Sequence, residues 1–155
     1  MKTAIRLLFI LLCLCGIALS AVSLYNHYAV AATEYCDFGQ TFNCDIVNRS
    51  RYSVFLGLPV ALIGLCGYAA LLGLTLSGNR WARIARFGFA ILGFAYSLRL
   101  TWIEARVLGT WCVLCLGSLL AIAGILLLSA IDLRDSPKSI PEHPGVRDAS
   151  LNELG

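Results

Sequence analysis

The chain has 155 residues, of which 59% are hydrophobic and 14% charged, and its formal net charge is +3. Soluble domains hold roughly 45–50% apolar residues, so this composition excludes an ordinary soluble fold. The small positive charge, with no basic, aromatic-interleaved run, excludes a nucleic-acid-binding surface and suggests no acidic partner. A lipid bilayer solvates most of the chain.

A transmembrane helix needs about 20 mostly apolar residues. Leu7 to Thr33, Tyr52 to Asn79 and Val107 to Ile131 carry no Asp, Glu, Lys or Arg, and each predicts a span. A further span is expected from near Trp81 to near Val107, although Arg99, Glu104 and Arg106 follow the uncharged stretch Phe87 to Leu98. Arginine stems near a helix end carry their charge out to the headgroups. Arg99, Trp102 and Arg106 share a helical face by their spacing, which fits either an interfacial patch or an arginine directed at a bound ligand. In hydrocarbon only helices or closed barrels satisfy the backbone, and long uninterrupted apolar runs are not barrel strands. The expected fold is an all-α integral membrane protein, a four-transmembrane-helix bundle with a cysteine-bearing outer loop between its first and second spans.

Lys2 and Arg6 ahead of an apolar stretch resemble a secretory signal, but signal cores run about 7–15 residues. The stretch from Leu7 to Leu24 is longer, so its retention as a helix is expected. Lys2, Arg6, Arg80, Arg83, Arg86, Arg134, Lys138 and Arg147 fall on one side of the bundle, and Arg49, Arg51, Arg99 and Arg106 on the other. By the positive-inside rule both termini are cytoplasmic. Residues 1–131 form the membrane domain, and residues 132–155, with Pro137, Pro141 and Pro144, are expected to be a disordered cytoplasmic tail.

Four of the seven cysteines sit at the edges of the spans: Cys36 and Cys44 in the loop, and Cys112 and Cys115 in Cys112-Val113-Leu114-Cys115. Cys13, Cys15 and Cys66 lie inside apolar runs and read as packing residues. All four edge cysteines face outward, which in a bacterium is the periplasm, where disulfides persist, and an endoplasmic reticulum lumen serves the same logic. Cys112 and Cys115 are expected in the first turn of the last helix, where free amides and the helix dipole favour thiolate. That spacing makes a dithiol/disulfide switch, or alternatively half of a zinc site with Cys36 and Cys44 as the other half. The Cys36/Cys44 loop reads as a shuttle reaching both a soluble protein and the membrane-level pair, or as a static staple. Two exposed pairs in series make a relay.

The two electrons need an acceptor. The chain has no dinucleotide fingerprint, and Leu116 after Cys115 rules out a C-x-x-C-H haem motif. A quinone dissolved in the bilayer fits. Phe55, Trp102 and Trp111, with Arg99, are the candidates to flank its ring near Cys115, although an interfacial aromatic belt explains the aromatic three equally well.

Cys36-Asp37, then Cys44-Asp45-Ile46-Val47-Asn48-Arg49-Ser50-Arg51-Tyr52-Ser53, Gly57-Leu58-Pro59, Gly64, Tyr68 and Cys112-Val113-Leu114-Cys115 resemble the vitamin K epoxide reductase family over most of Ala21 to Ala130. The resemblance implies a thiol:quinone oxidoreductase with four helices around the quinone. In it Cys115 faces the quinone, Cys112 exchanges with the loop, Cys36 and Cys44 shuttle electrons from a thioredoxin-like partner, and Ser50 lies near the active site. Ser118-Leu119-Leu120 and Val60 depart from the vertebrate pattern, so the expectation is a bacterial-type homologue in the inner membrane that reduces ubiquinone or menaquinone. Its electrons come from a separate thioredoxin-like or DsbA-like protein, because about two dozen residues follow Ile131. DsbB-type oxidases place the two pairs in the opposite order. The alternative from a different class is a structural or zinc-binding tetraspan protein, and no inverted repeat supports a transporter.

Overall fold

The computed structural model describes residues 2–29 and 41–134. Cys36 and the predicted tail beyond Arg134 lie outside these described residues. Five helices carry the architecture: α1 (Lys2–Tyr28), the short α2 (Cys44–Asn48), α3 (Val60–Ser77), α4 (Arg80–Ile103) and α5 (Val113–Arg134). A π-helical turn, Glu104–Leu108, continues α4. Four of the described helices are long and apolar enough to cross a membrane. The shortest, α3, has 18 residues and is about 27 Å long at 1.5 Å per residue. The fold is the expected all-α bundle of an integral membrane protein.

Small and polar residues hold the helices together. Along α1 the buried positions Phe9, Cys13, Gly16, Ser20, Ser23 and Asn26 recur at three- and four-residue intervals, which lays them on one stripe. Lipid gives helices no hydrophobic reason to associate, so close backbone approach through small residues and van der Waals packing supply the cohesion. At Gly16 an added Cβ would collide with the ring of Tyr68 from α3. The core there comprises Phe9, Cys13, Tyr68, Leu71, Ala90, Ala121, Ile122 and Ile125.

The turn between α3 and α4 is two residues long. Gly78 ends α3 in the left-handed conformation at φ 65°, and Asn79 caps α4 by accepting from the Ala82 amide at 2.6 Å. At this end of the bundle Arg86 of α4 pairs with Asp132 of α5 at 2.6 Å and lies 3.9 Å above the Phe9 ring.

The second span begins at Val60, directly after Gly57-Leu58-Pro59 and well inside the uncharged run that starts at Tyr52. Residues 51–59 instead form a 3-10 turn, Arg51–Ser53, and a tight hairpin in which β1 (Val54–Phe55) pairs with β2 (Leu58–Pro59). Leu56 and Gly57 at its tip both have positive φ, 53° and 83°, a conformation no helix continues through. Apolar content is what membrane depth demands, and it does not distinguish this hairpin from a first helical turn.

Candidate functional site

The site is assembled where the loop preceding α2 meets the start of α5. The Asn43 amide donates to the Trp111 carbonyl at 3.1 Å and the Trp111 amide donates to the Thr41 carbonyl at 2.9 Å, a parallel bridge centred on Phe42 and Trp111. Asn43 also caps α2, its Oδ1 accepting from the Ile46 amide at 3.0 Å. These bonds seat Cys44 at the first position of α2, against the segment that ends in Cys112. Cys44, Val47 and Cys112 form one buried cluster, with Leu108, Leu114 and Cys115 packed around it.

Cys44 is disulfide-bonded, whereas Cys112 and Cys115 are free thiols, as are Cys13, Cys15 and Cys66. Cys36, which the sequence pairs with Cys44, lies outside the described residues.

Cys112 precedes the first helical residue of α5, so the two cysteines do not both lie within the first turn. Cys112 is the cap: its carbonyl accepts from the Leu116 amide at 3.0 Å and its Sγ accepts from the Cys115 amide at 3.4 Å. The capping role follows from geometry, because a side-chain acceptor at this position satisfies one of the orphan amides of the first turn. The hydrogen bond from the Cys115 thiol, aided by that amide, holds the Cys112 thiol below its ordinary range against the opposing effect of burial.

The other end of α2 is latched to α1. His27 Nδ1 lies 2.5 Å from the Asn48 carbonyl, and the Arg49 guanidinium donates to the Ala29 carbonyl at 2.5 Å. Ser50 donates to the Val47 carbonyl at 2.8 Å and Ser53 to the Ser50 carbonyl at 2.7 Å, closing the turn that leads to the hairpin.

Beneath this cap lies a cavity of about 510 Å³ between the helices, with a mainly apolar wall. Its size is that of small-molecule sites generally. Cys115 and Ser50 open onto it, together with His27, Tyr68, Tyr96 and Glu104. Tyr68 is anchored there by donating to the Ser118 carbonyl at 2.8 Å.

Four residues expected beside the ligand are elsewhere. Arg99, Trp102, Trp111 and Phe55 are absent from the cavity wall. Trp102 is 61% exposed on the face of α4 that also carries Arg99. The cavity takes the other face, Gly93, Tyr96, Ser97, Leu100 and Ile103. Trp111 contributes its backbone to the loop bridge, and Phe55 stacks edge-on against Tyr96, centroids 5.9 Å apart. Arg99 and Trp102 do share a helical face, and its exposure fits the interfacial patch of the two readings their spacing allows.

Glu104 is the functional candidate that sequence reasoning passed over. It is only 1% exposed, and its Oε2 accepts from the Cys112 amide at 3.0 Å. The signal was available: an acidic residue eight positions before Cys112 in a segment otherwise fit for lipid.

A dithiol at the mouth of an apolar cavity, roofed by a disulfide-bearing cap and framed by four membrane-spanning helices, defines the class as an integral membrane redox protein. A family model described as the vitamin K epoxide reductase family matches residues 7–130. The chain is also 31% identical over 149 residues to vitamin K epoxide reductase complex subunit 1 of Rattus norvegicus, covering 85% of this chain and 88% of that protein. The same protein of Mus musculus is 30% identical with the same coverage. The chain belongs to the vitamin K epoxide reductase family.

Proposed function

We propose that this protein is a thiol:quinone oxidoreductase of the bacterial inner membrane. It carries electrons from a separate periplasmic thioredoxin-like (DsbA-like) protein through Cys36 and Cys44, then Cys112 and Cys115, to ubiquinone or menaquinone, and so supports disulfide formation in secreted proteins. The observation that carries this reading is the packing of disulfide-bonded Cys44 against Cys112 while Cys115 opens onto the apolar cavity. Residues 1–131 are the working domain, residues 132–155 a cytoplasmic tail, and both cysteine pairs face the periplasm.

Each step is thiolate attack on a disulfide through a mixed intermediate. A thiolate of the reduced partner attacks Cys36 of the Cys36/Cys44 disulfide and releases Cys44. Cys44 then attacks Cys112 of an oxidised Cys112/Cys115 pair, and Cys115 leaves as thiolate on the cavity side. The partner's second thiol resolves its bond to Cys36, and Cys36 reclaims Cys44 from Cys112. The partner departs with a disulfide and the dithiol remains reduced.

The cavity residues fit a quinone headgroup: apolar side chains from all four spans offer contact to a ring, and Ser50 and Tyr96 place hydroxyls on the wall. A bound quinone supplies a two-electron, two-proton acceptor, which returns Cys112 and Cys115 to the disulfide. Burial of Cys112 excludes water and competing thiols, so the pair exchanges with the docked cap.

The test is anaerobic mixing of the purified protein with a reduced DsbA-like protein and a soluble ubiquinone analogue, following quinone absorbance. Reduction by wild type and none by Cys115→Ala is expected. No reduction by wild type, with zinc found by elemental analysis, would favour the structural metal-binding alternative.

A further inference from the structure

Oxidising a dithiol with a quinone moves two protons as well as two electrons, and the cavity is walled largely by groups that carry none. Glu104 supplies the one carboxyl group among the described residues of that wall. It lies at the junction of α4 and its π-helical extension, a distortion often found at functional sites. Its carboxyl group is 1% exposed, with Oε2 fixed by the Cys112 amide at 3.0 Å. The Cys115 thiol opens onto the same cavity wall and is close enough to Glu104 for each to influence the other's ionisation. Its Oε1 has no hydrogen-bond partner among the described residues, and the side chain forms part of the cavity wall. A buried carboxyl group with an unused oxygen is costly to keep, and nothing in the packing of α4 requires one.

We propose that Glu104 is a catalytic residue, the proton-transfer group between the Cys115 thiol and the quinone. This rests on the thiol:quinone reading above and adds the path of the proton. In the reduced pair Cys112 is the thiolate and Cys115 the thiol. As the sulfur–sulfur bond forms, the Cys115 S–H bond breaks and its proton passes to the Glu104 carboxylate. Two electrons go to the quinone, whose oxygens take two protons, one delivered by Glu104 and one drawn from water at the outer surface. Glu104 ends as it began, a carboxylate. The other titratable groups near it are Cys112, whose amide it holds, and Cys115, His27, Tyr52, Tyr68 and Tyr96 on the cavity wall.

Two measurements on the full-length protein in detergent test this. In a single turnover, pre-reduced protein is mixed with a soluble ubiquinone analogue. Glu104→Gln, which keeps an acceptor for the Cys112 amide, is expected to slow reoxidation roughly 100-fold, the usual scale of acid–base catalysis, and Glu104→Asp to recover part of the rate. Without quinone, the thiolate absorbance of the reduced protein is titrated. Glu104→Gln is expected to move the Cys112 transition to lower pH, because a nearby carboxylate charge opposes thiolate formation. A Gln variant with wild-type reoxidation, or with an unmoved Cys112 transition, would overturn the role of Glu104 alone. Wild-type protein that fails to reduce the analogue would instead overturn the thiol:quinone reading. Should Glu104→Gln fail to fold, the Asp variant decides: its Cys112 transition stays near that of wild type if the carboxylate is the coupled group, and a shift as large as full loss of the charge would contradict it.

Discussion

Cys44 and Cys112 lie in one buried cluster, at 1% and 0% exposure, although they belong to separate parts of the chain. Reciprocal backbone bonds between Trp111 and residues 41 and 43 hold them there. A disulfide-bonded cysteine packed on a free one is the arrangement that exchange requires, because attack needs access to one sulfur and exclusion of competitors.

The hydrogen bond that Cys112 receives from Cys115 gives a pH prediction. A thiol whose pKa is depressed in the folded protein stabilises the reduced fold once pH exceeds the unfolded value. That contribution is lost as pH falls through the depressed folded value. Cys115→Ala removes the largest cause of the depression. Its Cys112 thiolate transition should shift to higher pH, and the gain in stability of the reduced protein between mildly acidic and alkaline pH should shrink, both followed by thiolate absorbance and thermal unfolding.

The contact of Gly16 with Tyr68 gives a packing prediction. Gly16→Ala places a methyl group in the Tyr68 ring and should cost about 1–3 kcal/mol, the usual penalty of overpacking. Gly67→Ala, where an added Cβ meets nothing within 4 Å, should be nearly neutral. Thermal unfolding of the two variants in the same detergent compares them directly.

Arg86 and Asp132 tie α4 to α5 at the end of the bundle away from the cysteines. Asp132→Asn leaves a guanidinium that is 4% exposed without its counter-charge. Breaking a fully buried pair costs roughly 3–5 kcal/mol, and with the Asp132 side chain 29% exposed about 2 kcal/mol is expected. The unfolding temperature should fall while the exchange of Cys44 with Cys112 is unaffected.

Much of this was legible in the sequence, and the failures have physical causes. Span length follows from the cost of charge in hydrocarbon, so three uncharged runs located α1, α3 and α5, while α4 was expected in spite of its arginines. The uncharged run from Tyr52 overshoots α3 because Leu56 and Gly57 break the helix by backbone conformation without carrying charge. The face carrying Arg99 and Trp102 was recognisable from its period, but periodicity fixes only which residues lie together, and the direction in which that face points depends on neighbouring helices. Cys112 was expected inside the first turn, yet its sulfur replaces the oxygen of an ordinary cap, which propensity scales do not anticipate. Glu104 looked like an inconvenience at a helix end until its contact with the Cys112 amide placed it at the dithiol.

The central claim is that the loop hands electrons to the membrane pair through a bond between Cys44 and Cys112. In the Cys36→Ser/Cys115→Ser double variant each of these cysteines loses its own partner. Peptide mapping by mass spectrometry after mild oxidation in the membrane should then find Cys44 linked to Cys112. Recovery of both cysteines as separately alkylated thiols, in protein that remains folded, would contradict the account.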